Sequence, residues 1–100
     1  MKINKKDLIE ILSNDQNQLP LSDIQLTVNT IIDTMINALT NGERIEIRGF
    51  GSFSLHYRKP RIGRNPKTGA SVSISERYVP HFKPGKNLKK QVNEGTEKFI

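Results

Sequence analysis

Arg58-Lys59-Pro60-Arg61-Ile62-Gly63-Arg64-Asn65-Pro66-Lys67-Thr68-Gly69 is the stretch on which the fold turns. Half of its first ten residues are Lys or Arg, and none is acidic. Pro60 and Pro66 forbid a helix through it, because proline lacks the N–H and clashes with the preceding turn. The flanking text is strand-like, over residues 52–57 on one side and 72–74 and 78–82 on the other. Asn65-Pro66-Lys67-Thr68-Gly69 reads as a turn, with Pro presetting φ and Gly accepting a positive φ. The whole is expected to form a long β-ribbon arm on a compact body, with its tip at residues 65–69. A cationic ribbon with a proline at its tip suits a nucleic acid.

The charge around this stretch is segregated. Residues 1–43 hold three lysines and six acids, a net −3, whereas residues 44–92 hold twelve Lys or Arg and two acids, a net +10. Residues 47–75 contain no acid at all. A basic half of this kind is the footprint expected for a polyanion partner rather than of general solvation. The length of 100 residues makes one domain. Apolar content is low, at 34%, and the arm adds length without adding core. A second chain is therefore expected to complete the core. With no cysteine there is no disulfide or thiolate chemistry, and no apolar run reaches membrane length.

Working outward, a helical body is expected over about residues 3–42. Asn4 followed by Asp7 resembles a capping box that opens a helix over residues 5–13. Residues 14–18 form a polar break. A second helix follows with Ser22 as its N-cap and Gly42 as its end. Ile24, Val28, Ile31, Ile32, Met35, Ile36 and Leu39 recur along it at helical spacing and form the core or dimer face. Strands and arm occupy about residues 43–83. Ile45 and Ile47 alternate with Arg44, Glu46 and Arg48, so that one face is buried and the other charged. Phe50 and Phe53 anchor the core beyond a Gly-Phe-Gly corner. Val79 and Phe82 are expected core residues of a closing strand that Pro80 moves towards an edge. A C-terminal helix is expected over about residues 84–93, with a proline near its start, and a loose tail over 94–100.

Gly42-Glu43-Arg44-Ile45-Glu46-Ile47-Arg48-Gly49-Phe50-Gly51-Ser52-Phe53, then Gly63-Arg64-Asn65-Pro66-Lys67-Thr68-Gly69, then Val79-Pro80-His81-Phe82-Lys83-Pro84-Gly85-Lys86, strongly resemble the bacterial HU/integration host factor family. The wording is closest to the family's beta-type subunits, and the resemblance spans roughly residues 3–93. Ile62, where a small polar residue is usual, and Ala70, where an acid is commoner, depart from the pattern.

The resemblance implies an α+β fold and an intertwined dimer, with a helical dimerisation body, an antiparallel sheet saddle and two long β-ribbon arms that wrap double-stranded DNA through the minor groove. Pro66 matches the tip proline that intercalates between base pairs. Arg58, Arg61, Arg64 and Lys67 match the arm cations of the groove, beside Lys59 and Asn65. Lys83, Lys86 and the adjoining helix N-terminus match phosphate contacts. Arg44, Glu46 and Arg48 share one strand face, on which Glu46 is expected to orient Arg48 for readout. The implied partners are DNA and an alpha-type subunit, or a second copy of the chain in an HU-like, sequence-neutral homodimer. An RNA or single-strand module would need exposed aromatics on a sheet face. The implied setting is the cytoplasm and bacterial nucleoid, with roles in recombination, transcription and translation control, and no membrane.

Other chemistry finds little support. Gly49 and Gly51 lack the third glycine of a dinucleotide loop. His56 and His81 lack sequence partners for a metal. No nucleophile motif occurs, so neither catalysis, nor a cofactor, nor a small-molecule substrate is expected.

Overall fold

Backbone hydrogen bonds close the turn that the central stretch predicts. The Asn65 N–H donates to Ala70 O at 2.9 Å, and the Gly69 N–H donates back to Asn65 O at 2.7 Å. Strands Arg61–Arg64 and Ser71–Ile74 flank it as an antiparallel pair. The structure, a computed structural model, describes residues 2–95. In chain order its elements are α1 (Lys5–Asn14), α2 (Leu21–Thr40), β1 (Ile45–Ile47), β2 (Gly51–Arg58), β3 (Arg61–Arg64), β4 (Ser71–Ile74), β5 (Arg77–Pro84) and α3 (Lys86–Glu94). The chain is α+β and divides into two units, Met1–Asn37 and Ala38–Ile100.

In the first unit, α1 opens on the expected capping box. Asn4 Oδ1 accepts the Asp7 N–H at 2.9 Å and Asp7 Oδ2 accepts the Asn4 N–H at 3.1 Å. The polar break after α1 is organised by Gln16, whose Oε1 accepts the N–H groups of Gln18 and Leu19 at 3.0 and 2.9 Å. The start of α2 corrects the sequence reading. Ser22 lies inside the first turn, and the carbonyl of Pro20 accepts the N–H groups of Asp23 and Ile24 at 3.1 and 3.3 Å. Proline already holds a φ compatible with helix entry, so the helix starts at Leu21 without waiting for a hydroxyl cap. Ile9, Ile24 and Val28 form the buried cluster, and Ile32 packs against it. Met35 is half-buried, while Ile31 and Ile36 remain 55% exposed. At the far end of α2 the Glu43 N–H reaches Ala38 O at 2.9 Å and the Gly42 N–H reaches Leu39 O at 3.0 Å. This is a Schellman ending, and it needs the left-handed φ of 79° that Gly42 supplies.

In the second unit, β1, β2 and β5 form an antiparallel sheet in the order β1-β2-β5, and β3 and β4 form a separate pair. Pro80 sits on β5, an edge strand, where its missing N–H is harmless. Strand β1 is shorter than its alternation suggests. It ends at Ile47, and Arg48 enters a turn in which the Phe50 N–H bonds Ile47 O at 3.0 Å. Ile45 is half-buried and Ile47 exposed. Phe82 lies between two rings, 5.1 Å from Phe50 and 4.8 Å from Phe53. Gly51 makes this packing possible, because a Cβ there would stand 2.5 Å from Lys83 O and 2.8 Å from the Phe82 ring. Pro84 closes β5 opposite Gly51 rather than opening the helix. Gly85 is the N-cap of α3, and its N–H donates to Phe50 O at 2.8 Å. Helix α3 runs through Glu94 to Gly95, so most of the expected tail lies outside the described residues.

Candidate nucleic-acid interface

The strand registers decide which side chains share a surface. Across the sheet, Glu46 pairs with Ser52 and Ser52 with Lys83. Along β2 and β5 the same face continues through Ser54 opposite His81, His56 opposite Val79, and Arg58 opposite Arg77. Alternation places Ile45, Phe53, Leu55, Tyr57, Tyr78 and Phe82 on the other face. One side of the sheet is therefore a largely polar strip that runs from Lys83 to the Arg58–Arg77 pair; it also holds half-buried Val79, which the sequence reading assigned to the core but the register sets on the face away from Phe82. Midway along it the His56 and His81 rings stack with centroids 4.1 Å apart.

Beyond Arg58 the strip meets the ribbon. Tyr57, Arg58, Lys59, Arg61 and Arg77 line one cleft, four cations around one aromatic ring. Lys59 and Pro60 fall between β2 and β3, where the pairing of the larger sheet gives way to that of the hairpin. Glu76, next to Arg77 in sequence, accepts a hydrogen bond from the Tyr57 hydroxyl at 2.7 Å. That contact holds the Tyr57 phenol above its ordinary pKa of 10.0, helped by desolvation and by Tyr78. The Tyr57 and Tyr78 rings lie 5.4 Å apart, both exposed. They brace the start of the ribbon against each other on the apolar face of the sheet.

At the tip, Asn65 Oδ1 accepts the Lys67 N–H at 2.9 Å, and Arg64 Nη1 donates to Gly69 O at 3.0 Å. Asn65 thus holds the turn with the side chain that the sequence reading assigned to DNA, and Arg64 braces it. Pro66 and Lys67 stand exposed at its apex. Pro66 presents an apolar ring with no donor to leave unsatisfied against a base.

At the other end of the strip, Arg44, Lys83, Lys86 and Lys89 line a groove together with Glu46. The pairing inside it corrects the sequence reading. Glu46 Oε1 bonds Arg44 Nη2 at 3.0 Å, not Arg48. Both arginines stand two residues from Glu46, but the chain leaves the strand at Ile47 and carries Arg48 into the turn. The Arg44–Glu46 pair is 61% and 71% exposed, which marks a surface pair of small energetic worth.

Sequence reasoning missed Arg77 and Lys89 at this interface. Both could have been found from the charge asymmetry alone, since they belong to the basic half. Among the described residues no group of three or more His, Cys, Asp or Glu could hold a metal, and no helix is long and apolar enough to cross a membrane.

Comparison with known proteins agrees with this geometry. Residues 3–93 match the family model described as bacterial DNA-binding protein. The integration host factor subunit beta of Marinomonas sp. is 59% identical over 91 residues, covering 91% of this chain and 89% of the relative. That of Alkalilimnicola ehrlichii is 56% identical, covering 98% of each. Among solved structures, an Anabaena HU–DNA cocrystal superposes with a TM-score of 0.80 at 31% identity, covering 89% of this chain and 96% of the other. HU from Thermotoga maritima superposes with a TM-score of 0.60 at 34% identity, covering 89% and 97%.

Proposed function

The chain belongs to the bacterial DNA-binding protein family of HU and integration host factor, and from that premise we propose that it is the beta-type subunit of an architectural heterodimer that bends duplex DNA. One observation carries the reading. An acid-free cationic hairpin presents Pro66 at an exposed apex and continues, strand for strand, into a polar strip that ends at Lys83 and Lys86. Minor-groove benders of this family insert apolar wedges between base steps and so kink the duplex. Here Pro66 is the wedge. Arg58, Lys59, Arg61, Arg64 and Lys67 supply charge along the groove, whose negative potential is concentrated where it is narrow.

The kink turns the flanking duplex towards the body. There Lys83, Lys86 and the N-terminus of α3 neutralise phosphates, aided by Lys89, while Arg77 adds charge at the root of the ribbon. Arg44 meets the backbone beside them, paired with Glu46, and Arg48 adds positive charge from the turn after β1. The open apolar faces of α2, with Ile31 and Ile36 exposed, support a helical partner that completes the core. The function needs no cofactor or catalytic group, and its place is the nucleoid, in recombination and in the control of transcription and translation.

The test is Pro66→Ala in the complex with its alpha-type partner, on duplexes labelled at both ends. Energy transfer should report a smaller bend, and affinity for linear DNA should fall, while DNA already nicked at the kink should bind almost as before. An equal loss on both substrates with an unchanged bend would reduce Pro66 to a turn former.

A further inference from the structure

Ile62 is the most exposed large hydrophobic side chain among the described residues, at 76%, and the bending mechanism assigns it no task. Its position is specific. Ile62 pairs with Ser73 and Arg64 with Ser71, so one face of the ribbon carries Ile62, Arg64 and two small serines. On the opposite face, which carries Arg61, Gly63, Val72 and Ile74, Ile74 lies over Gly63 so closely that a Cβ on Gly63 would sit 2.9 Å from Ile74 Cδ1, while Val72 stays 47% exposed. The ribbon therefore has one face on which Ile74 packs over Gly63, and one face on which Ile62 stands beside a guanidinium with only serines opposite. An apolar β-branched group held there, at the centre of a cationic arm, offers a contact to an apolar surface. The occupant must also accept the surrounding cations, Arg58, Arg61, Arg64 and Lys67, in a span without acids. The minor groove of DNA satisfies both demands, with sugar walls and base edges inside two rows of phosphates.

We infer that Ile62 is a specificity-determining residue that presses on the minor-groove floor and selects against the 2-amino group of guanine. This rests on the reading of the ribbon as a minor-groove arm. In the minor groove A·T pairs show only acceptors, whereas G·C adds the guanine amino donor. An isoleucine packed over that donor would strip its water and give it no acceptor, the expensive case for any buried polar group. The arm arginines already favour a narrow groove; Ile62 adds a dependence on the amino group itself. The position can be placed. A strand advances about 3.3 Å per residue and a duplex about 3.4 Å per base pair, so Ile62, four residues before Pro66, should read a pair roughly three to four steps from the kink.

The experiment uses the complete dimer and a set of duplexes that differ at those pairs, in each half of the site in turn. The pairs are A·T, G·C, inosine·C, which removes the amino group from G·C, and 2,6-diaminopurine·T, which adds one to A·T. Affinity should follow the amino group and not the base pair, with G·C and diaminopurine·T weaker by about five- to tenfold, the lower end of the range for one unpaired donor because the groove stays partly open to water. Ile62→Ser should abolish that difference and Ile62→Val should keep it, with both melting as the parent does. Equal binding to all four duplexes, or amino dependence that survives Ile62→Ser, would overturn the inference while the end-to-end bend stands. Absence of any bend would remove the arm reading and this inference with it.

Discussion

The ribbon is held by different means at its two ends. Between β2 and β5, eight registered pairs carry a Phe-Phe-Phe cluster, a stacked histidine pair and a tyrosine pair. Between β3 and β4, four registered pairs carry one Ile74–Gly63 contact and a braced turn. The first stretch derives its shape from side-chain packing, the second from backbone hydrogen bonds and turn chemistry. The outer stretch should therefore open locally far below the global unfolding free energy, and substitutions there should change binding while leaving folding nearly untouched. An arm that must fit into a groove gains from this, because a packed ribbon could not part from its own contacts to meet DNA.

Two substitutions in the inner stretch should give the largest effects. Phe82→Ala removes the ring between Phe50 and Phe53. For a half-buried phenylalanine this should cost about 2–3 kcal/mol, less than for a fully buried one, read from urea unfolding at fixed protein concentration. Gly51→Ala forces a methyl against Lys83 O and the Phe82 ring, and should cost about 1–3 kcal/mol. If either changed DNA binding without changing stability, the division of labour between the two stretches would be wrong.

In the outer stretch the sign of the comparison reverses. Arg64→Ala should leave unfolding within about 0.5 kcal/mol of the parent, because the side chain is exposed. It should weaken binding to linear and pre-kinked DNA alike, and make the slope of log affinity against log salt shallower by about 0.9, one phosphate contact. A steep loss of stability would mean that its bond to Gly69 O holds the turn more firmly than an exposed contact should.

How much of this was legible in the sequence follows from the range over which each interaction acts. The hairpin was readable because Asn65, Pro66 and Gly69 carry their turn chemistry within five residues. The same holds for the Asn4–Asp7 box, the Gly42 ending and the edge placement of Pro80. Ser22 was misread because a hydroxyl at a helix start looks like a cap whether or not a proline carbonyl already serves. The partner of Glu46 was misread because Arg44 and Arg48 are equidistant in sequence, and only the end of β1 separates them. The His56–His81 stack and the Tyr57–Glu76 bond depend on a register 19 or more residues apart, for which no local text exists.

Glu46→Ala should have a smaller effect. Since Glu46 partners an exposed Arg44, its loss should change stability by less than about 1 kcal/mol. It should raise affinity for random duplex, because Arg44 is freed and an anion leaves the groove lined by Lys83 and Lys86. Titration of the complex with a random duplex at two salt concentrations would check this. A fall in that affinity would restore the idea that Glu46 orients a cation for contact.

The smallest expected effect lies where the two stretches join. Tyr57 ends the packed part of β2, and Glu76 lies between β4 and β5, so their hydrogen bond spans the junction. The bond needs the phenolic proton. Ionisation would set a phenolate against the Glu76 carboxylate, which is why the Tyr57 pKa lies above 10.0. A group whose pKa is raised on folding contributes stability that is fully present below the unfolded value. That contribution is lost as pH rises through the folded value. Any weakening of the junction through this group should thus be confined to alkaline pH. Glu76→Gln keeps an acceptor oxygen but removes the charge, so the Tyr57 titration, followed by phenolate absorbance in a Tyr78→Phe background, should move down towards the ordinary value. At neutral pH the same substitution removes the only acid between Ile47 and Asn93, and duplex DNA should bind more tightly, most of all at low salt. A Tyr57 titration that ignored Glu76→Gln would mean the two side chains do not meet in solution, and the ribbon would then turn at its root on backbone pairing alone.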